Sequence, residues 1–342
     1  MNASILNLAF LPLTLTALLA AAPHAQSTSS TPSTSQSGWD LVWSDEFDGA
    51  ANTYPDPAKW NIEVNGNPPN SEAEAYVKST RNVSLNGLGQ LELTAYKESS
   101  GSKQYTSGKV NSSGKFTRTY GRWEARIMLP PGTGFWPAFW MLGINNGCGG
   151  WPNCGEIDII ENRGRLANVS SSAMHGPGYS GNTPITHTYN LPQTAANNFF
   201  TGYHVFAAEW SDTQVRFYVD STLHYTVNKS DVQKYGNWVY NHDFYTLINL
   251  AVGGQFDGMQ LPPASAFPAK MRIDYVHVYK PGTGSIITAV HPRSLRNQVF
   301  PGLERLTAFD VNGRMRLVKD AAVGLTASRS PEAGAALLLQ AK

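Results

Sequence analysis

The chain has 342 residues, of which 41% are apolar and 11% aromatic, enough for one large domain with a substantial core and additional short segments. Its 26 Lys and Arg residues nearly balance its 25 Asp and Glu residues, so neither nucleic acid nor an anionic membrane surface is an indicated partner. Nine Trp and fifteen Tyr beside only 15% charged residues suit a neutral ligand with flat apolar faces, such as a sugar.

Residues 1–25 predict a secretory signal peptide. An apolar stretch from Ile5 to Ala22 is followed by small residues, and cleavage after either Ala22 or Ala25 suits the pattern. The alternative is an uncleaved membrane anchor, which a proline and two threonines in the stretch disfavour. We therefore expect a secreted, extracellular protein without membrane contact after signal removal. A periplasmic protein, or one attached to the cell surface through its C-terminal tail, is the alternative.

Residues 39–280 predict one all-β domain, preceded by a flexible Ser/Thr-rich linker over residues 26–38. Short segments of alternating polar and apolar residues, separated by Gly, Pro, Asn and Ser, recur throughout the domain; QLELTAYK, GRWEARIML and RIDYVHVY are examples. No segment keeps helical periodicity over three turns. This pattern is typical of an antiparallel β-sandwich or barrel.

Residues 281–342 predict a linker and a C-terminal tail. The tail contains a predicted hairpin around Asn312 and Gly313, followed by an Ala-rich run. Both a small β module for sorting or attachment and a loosely ordered extension are compatible with this composition.

The segment from Gly155 to Glu161, GEIDIIE, places three carboxylates within six residues of an apolar, β-branched stretch. In a strand, Glu156 and Asp158 share one face and Ile157 points to the other. Glu161 falls on the wrong face unless one extra residue is inserted after Asp158. A β-bulge inserts such a residue, and bulges are common beside active sites. We therefore predict a bulged strand that presents the three acids in a row.

Neighbouring carboxylates raise one another's proton affinity, so at least one of the three should stay protonated near neutral pH. A protonated acid beside an ionised one is the pair that glycoside cleavage needs. Two Glu side chains on one strand suit the roughly 5 to 5.5 Å separation found in retaining enzymes. A solvated strand face or a cation site is the alternative explanation of the same residues.

The two cysteines, Cys148 and Cys154, bound a loop rich in Gly and Pro just before the acidic strand. Export favours a disulfide between them, which would hold this loop in place. A metal site is the weaker alternative, because no further soft or imidazole ligands lie at a recognisable spacing.

With YGRWEARIMLPPGTGFWPAFWMLG before it and HGPGYSG after it, GEIDIIE resembles glycoside hydrolase family 16, and more closely the laminarinase-type endo-β-1,3-glucanases. The resemblance covers about residues 39–280 and implies a concanavalin-like β-jelly-roll sandwich with a long open concave cleft. It also implies the retaining mechanism, with Glu156 as nucleophile, Glu161 as general acid/base and Asp158 as the residue that positions Glu156. The implied partner is a β-glucan polysaccharide, bound by a monomer that needs no cofactor for catalysis.

The resemblance places further residues in the cleft. Trp136 and Trp140, on one strand face, would be sugar-stacking platforms; for both, the sandwich core is the alternative. For Trp123, a sugar-stacking platform and a core residue are equally favoured. His175 and Asn65 are expected to contact the sugar or the acids. Weaker candidates are Glu74, Tyr76, Arg122, Asn249 and, at the rim, Trp151.

A structural calcium ion is also suggested by the resemblance, held by Glu46, the carbonyl oxygen of Gly89 and Asp274. A surface ion pair is the alternative for these residues. The eight histidines of the sequence form no cluster at metal or catalytic spacing, so a histidine-based hydrolase or a zinc enzyme is not indicated.

The sequence thus predicts a secreted endo-β-1,3-glucanase. A mixed-linkage β-1,3-1,4-glucanase or a transglycosylase of the same family is an alternative, because loop shape around the cleft decides specificity. A non-catalytic β-glucan-binding protein is a further alternative, which the presence of three mutually repelling acids disfavours.

Overall fold

A computed structural model describes residues 38–192 and 198–282, together with the backbone of four short strands outside these ranges. The predicted signal peptide and nearly all of the predicted linker lie outside the described residues. Within the described part of the chain, no helix combines the length and the apolar character needed to cross a membrane.

The described residues are almost entirely strands and loops. The strands are β1 (Ser35–Gln36), β2 (Trp39–Asp45), β3 (Asn61–Ile62), β4 (Glu74–Tyr76), β5 (Val83–Leu85), β6 (Leu91–Ala95), β7 (Tyr105–Ser107), β8 (Lys109–Asn111), β9 (Gly121–Met128), β10 (Phe135–Gly143), β11 (Glu156–Glu161), β12 (Val169–His175), β13 (Ile185–Asn190), β14 (His204–Trp210), β15 (Gln214–Val219), β16 (Thr222–Asn228), β17 (Phe244–Val252), β18 (Ala269–Pro281), β19 (Leu306–Phe309), β20 (Met315–Val318) and β21 (Leu338–Ala341). One short helix, α1 (Lys229–Val232), and two 3₁₀ helices, Gln255–Asp257 and Ala264–Ala266, complete the elements.

Two large antiparallel sheets form the domain. The seven-stranded sheet has the order β13-β12-β11-β10-β17-β8-β3 and contains the acidic strand β11. The nine-stranded sheet has the order β1-β2-β18-β9-β14-β15-β16, with β6 and β5 branching from β18. The branch arises because β18 is 13 residues long and pairs first with β6 and then with β2 along the same edge. The predicted antiparallel β-sandwich is therefore confirmed.

The core lies between the two sheets and is built from the alternation seen in the sequence. In β9, Trp123, Ala125 and Ile127 are fully buried, while the charged residues between them point to the other face of the sheet. The Trp123 ring contacts Trp210 at a centroid distance of 5.5 Å. Trp123 is thus a core residue of the nine-stranded sheet, and its assignment to substrate binding is wrong.

The tail forms a separate three-stranded sheet of order β20-β19-β21. Phe309 pairs with Met315 in this sheet, and the predicted turn at Asn312 and Gly313 lies outside the described residues. The role of this segment stays a prediction.

Replacing Trp123 by Ala should lower the free energy of unfolding by about 3–5 kcal/mol, because it removes a fully buried indole and leaves a cavity. Chemical denaturation followed by far-UV circular dichroism measures this change. Leu88→Ala, at a side chain that is 81% exposed, is the control and should change stability by less than about 0.5 kcal/mol. A comparable loss in the two variants would contradict the core assignment.

Candidate active site

A β-bulge in β11 brings the three acids to one face of the seven-stranded sheet. On β12, Asp158 pairs with Ala173 and Glu161 with Ser171, so three steps along β11 match two steps along its neighbour. The same extra residue appears against β10. The three isoleucines of the strand are all buried, which places the surplus residue in the core layer. The bulge predicted from side-chain parity is confirmed.

Glycine is required immediately before the first acid. Gly155 has φ +76°, and a Cβ at this position would lie 3.0–3.1 Å from the side chains of Phe244, Tyr240 and Val239. The chain can therefore turn tightly out of the preceding loop and enter β11 only without a side chain here. This turn sets the point at which Glu156 begins the acidic row.

The flanking acids each accept a hydrogen bond from an indole N–H. Trp136 Nε1 lies 2.9 Å from Glu161 Oε1, and Trp151 Nε1 lies 2.7 Å from Glu156 Oε2. Two neutral donors therefore mark the two ends of the acidic row and orient the carboxylates.

His175, which pairs directly with Glu156 on the neighbouring strand, is the third polar neighbour of the acids. Its Nε2 lies 3.1 Å from Asp158 Oδ2 and 3.9 Å from Glu156 Oε1. These three side chains are close enough to share a metal ion, which leaves the cation-site alternative geometrically open. The structure thus brings His175 to the acids, as predicted.

Burial raises the pKa of all three acids. Burial and then the charge of Asp158 raise the pKa of Glu156 to about 8. Burial raises the pKa of Glu161 to about 7, against the opposing effect of His175. The pKa of Asp158, the most deeply buried of the three, lies well above its usual range because of burial and then the charge of Glu161. The site therefore holds protons near neutral pH, as expected for crowded carboxylates.

Trp140 lies on the same sheet face as Trp136 and is held from behind by a buried chain of hydrogen bonds. Its Nε1 donates to Asn249 Oδ1 at 2.7 Å, and Asn249 Nδ2 donates to the Tyr76 hydroxyl at 3.0 Å. Tyr76 donates in turn to Glu72 at 2.8 Å. This chain fixes the plane of an indole that is itself only partly buried.

Trp136 is held at the Glu161 end of the row by residues that were not predicted. The Trp136 ring stacks on the Phe256 ring at a centroid distance of 5.0 Å. The Arg163 guanidinium lies 3.9 Å from the centroid of the Phe256 ring. Arg163 Nε also donates to the carbonyl oxygen of Phe256. The position of Arg163 two residues after Glu161 was the available signal, whereas Phe256 lies in a loop whose path only the fold determines.

A pocket of about 340 Å³ continues the sheet face beyond Glu156. Leu142, which pairs with Glu156, and Tyr245, which pairs with Leu142, form its floor. Trp151 and Cys154 of the preceding loop line its side. The volume lies in the range of small-ligand sites, so the face bearing the acids has room for a ligand next to Glu156.

Some predicted cleft residues lie elsewhere. Glu74 and Tyr76 are fully buried and support the cleft from behind instead of lining it. Arg122 lies on the nine-stranded sheet, bound to Glu124 and Glu209. Asn65 is partly buried, and its Oδ1 accepts the backbone N–H of Asn67 at 3.0 Å; its contact with the sugar stays a prediction.

The carboxylates predicted to bind calcium have other partners. Glu46 Oε1 lies 2.7 Å from His277 Nε2, and Asp274 Oδ2 lies 2.6 Å from Arg126 Nη1. Gly89 does lie beside the carbonyl oxygen of Glu46. As placed, the two side chains do not fit a calcium ion, and the ion pair weighed as the alternative for Asp274 is present. The calcium site stays a prediction.

The predicted disulfide between Cys148 and Cys154 is formed in the structure. Cys154 is buried and its backbone N–H donates to the carbonyl oxygen of Gly150 at 3.1 Å. The bond closes the loop that carries Trp151 directly before β11.

Paired carboxylates with raised pKa on one face of a β-sandwich, flanked by indole rings, are typical of glycoside hydrolases. The sequence matches glycosyl hydrolases family 16 over residues 70–277, and the chain belongs to this family. The two-sheet architecture is accordingly the jelly-roll expected from the resemblance.

Relatives and solved structures agree with this assignment. The chain is 37% identical over 268 residues to glucan endo-1,3-beta-glucosidase A1 of Niallia circulans, covering 71% of this chain but 38% of that protein. It is 35% identical over 249 residues to the beta-glucanase of Rhodothermus marinus, covering 71% and 85% of the two chains. The laminarinase catalytic domain of Thermotoga maritima superposes with a TM-score of 0.66 at 39% identity, over 72% of this chain and 99% of that domain. The chain therefore spans well under half of the first relative and most of the second.

The unfolding free energy of the Glu74→Gln variant, relative to that of the wild type, should increase as the pH rises. Burial and then the charge of Glu72 hold the pKa of Glu74 well above its ordinary value of 4.5, so the folded state keeps a proton that the unfolded state releases. The stability from this proton is complete below about pH 4.5 and is lost as the pH rises towards the folded-state pKa. The glutamine does not titrate. The difference in unfolding free energy should grow by up to about 1.4 kcal/mol per pH unit, measured by urea denaturation from pH 5 to 8. A constant difference across this range would contradict the raised pKa.

Proposed function

We propose that this protein is an endo-acting, retaining glycoside hydrolase that cleaves internal β-1,3-glucosidic bonds of laminarin-like glucans. The observation that carries the proposal is the bulged strand β11, which presents Glu156 and Glu161 on one face with an indole N–H on each. The relatives in the same family, a glucan endo-1,3-beta-glucosidase and a laminarinase, support the choice of substrate.

In the proposed mechanism Glu156 is the nucleophile and Glu161 the general acid and base. The Glu156 carboxylate attacks the anomeric carbon while Glu161 gives its proton to the leaving oxygen, which produces a covalent glycosyl-enzyme. Glu161, now ionised, takes a proton from water, and the hydroxide oxygen attacks the anomeric carbon and releases Glu156. A pKa of about 7 for Glu161 suits a group that must carry a proton in one step and lack it in the next.

Asp158 determines which member of the acid row is ionised. In the free protein the pKa of Glu156 lies above that of Glu161, although the nucleophile must be the ionised one. The hydrogen bond between the two acids raises the pKa of Glu156 and lowers that of Asp158 in the free protein, but Asp158 is buried more deeply, and burial favours its neutral form. We assign the proton of this pair to Asp158, which donates it to Glu156 as a hydrogen bond and leaves the nucleophile charged.

The indole rings of Trp136 and Trp140 would then be the platforms for glucosyl rings, since both are partly exposed on the face that bears the acids. His175, whose Nε2 lies 3.1 Å from Asp158 Oδ2, would hold the Asp158 carboxyl group in its position beside Glu156. We also propose that the enzyme acts outside the cell, as a monomer, and without a catalytic cofactor. The near-neutral charge suits an uncharged polysaccharide.

Loss of either glutamate should nearly abolish hydrolysis. Glu156→Gln and Glu161→Gln should each lower kcat on laminarin by several orders of magnitude, because each group takes part in bond making or breaking. Asp158→Asn should lower it less, because this residue acts through Glu156. Reducing-end release and product chromatography on laminarin, lichenan, agarose and xyloglucan measure activity, linkage preference and transfer together. Inactivity of the wild-type protein on all β-1,3-linked substrates would overturn the proposal. An inactive wild-type protein that still binds laminarin would instead be a binding protein.

The pH dependence should report Glu161 as the acid. Activity on laminarin should fall as the pH rises through about 7, since Glu161 must be protonated to release a poor leaving group. An aryl β-laminaribioside with a nitrophenolate leaving group needs no proton, so its glycosylation step should lack this alkaline limb. The burst of nitrophenolate measures that step alone. An alkaline limb that is the same for both substrates would exclude Glu161 as the general acid.

A further inference from the structure

Trp151 is the one candidate site residue that combines high exposure with a hydrogen bond to a reacting group. Its side chain is 52% exposed, yet its Nε1 lies 2.7 Å from Glu156 Oε2. The ring also lies 6.2 Å from the His175 ring, on the side of the acids opposite to Trp136. An exposed indole has considerable rotamer freedom, so something other than close packing must hold it on the nucleophile.

The disulfide provides this restraint. Trp151 lies at the middle of the loop that Cys148 and Cys154 close, and β11 begins two residues after Cys154. Beyond the disulfide, the loop is held by backbone hydrogen bonds from Cys154 to Gly150 and from Gly155 to Pro152. Their acceptors, Gly150 and Pro152, are the residues on either side of Trp151. The disulfide is the covalent link in this set: it ties Cys148, where the loop begins, to Cys154 beside the acidic strand and so keeps the loop closed around these hydrogen bonds.

Trp151 also forms part of the pocket beside Glu156. It lines this pocket together with Cys154, Leu142 and Tyr245. A ligand in the pocket would thus contact the same indole that donates to the nucleophile. The position of the loop affects both the orientation of Glu156 and the shape of the adjoining binding space.

Building on the proposed function, we propose that Trp151 is a positioning residue for the nucleophile and that the Cys148–Cys154 disulfide makes this positioning redox-dependent. With the disulfide intact, the indole N–H is held on Glu156 and stabilises its carboxylate. A dithiol reductant transfers two electrons and two protons, so that the cystine becomes two thiols and the dithiol becomes a disulfide. The loop then releases Trp151, and the nucleophile loses its donor.

The direction of the effect follows from the charge on Glu156. A hydrogen bond from a neutral donor favours the ionised carboxylate, and Trp151 acts on the pKa of Glu156 in this sense. Losing the donor should therefore move the acid limb of the pH–rate profile to higher pH. A change in packing without loss of the hydrogen bond would alter KM and leave that limb in place.

Trp151→Phe keeps an aromatic ring but removes the pyrrole ring that carries the N–H donor. It should lower kcat/KM on laminarin by about 10- to 100-fold, the range for hydrogen bonds to charged groups, and shift the acid limb upward. Trp151→Ala should in addition raise KM, because the pocket loses a wall. Trp39→Phe, on β2 of the nine-stranded sheet, is the matched tryptophan control and should behave as wild type.

Reduction should reproduce the Trp151→Phe phenotype. Because the sequence has only two cysteines, dithiothreitol acts on this disulfide alone. It should lower wild-type kcat/KM and shift the acid limb, as should the Cys148→Ser/Cys154→Ser double variant, but should have little further effect on Trp151→Phe. A wild-type kcat and pH profile in Trp151→Phe, or an equal loss on reduction in wild type and Trp151→Phe, would overturn the proposal.

A readout without catalysis separates this proposal from the proposed function. Ionisation of Glu156 should change the fluorescence of Trp151, so the difference titration between wild type and Trp151→Phe should show a transition that is absent in Glu156→Gln and in the reduced protein. Far-UV circular dichroism establishes that each variant is folded. A protein without glucanase activity that still shows this transition would refute the proposed function alone. A missing transition in an active enzyme would refute the role of Trp151 alone.

Discussion

The bulge in β11 is the constraint on which the site depends. Strand geometry sends alternate side chains to opposite faces, and without an extra residue Glu161 would point into the core beside Ile157. The pairings with β10 and β12 both accommodate the extra residue, so the bulge is built into two interfaces of the sheet at once. The isoleucines of the strand remain buried. One inserted residue thus preserves the core while it completes the acidic row.

The acids are buried more deeply than surface carboxylates, and this burial creates the chemistry. It raises the pKa of Glu156 to about 8 and of Glu161 to about 7, values at which a proton can be held and released near neutral pH. The two indole donors oppose this effect at either end of the row. Burial and mutual repulsion raise the pKa of these acids, whereas the indole donors and the charges of His175 and Arg163 lower it.

Residues packed against the two indole rings support the site. Behind Trp140 a chain of hydrogen bonds runs through Asn249 and Tyr76 to Glu72, all of them buried. Beside Trp136 a stack with Phe256 performs the same function through ring contact. Because interior groups are close-packed and their rotamers are restricted, such supports keep partly exposed rings in a defined orientation. Rigid rings in turn restrict where a sugar can lie relative to the acids.

The amino-acid sequence by itself determined the all-β architecture, the bulge, the disulfide and the three acids, because these depend on local alternation and close spacing along the chain. It did not determine which face of a sandwich a given aromatic residue occupies: Trp136 and Trp140 lie beside the acids, whereas Trp123, on an equally alternating strand, lies in the core of the other sheet. Glu74, Tyr76 and Phe256 reach their positions through contacts between segments distant in sequence. Only the tertiary structure decides such placements, since burial and hydrogen bonding are properties of the packed sheets and not of any one segment.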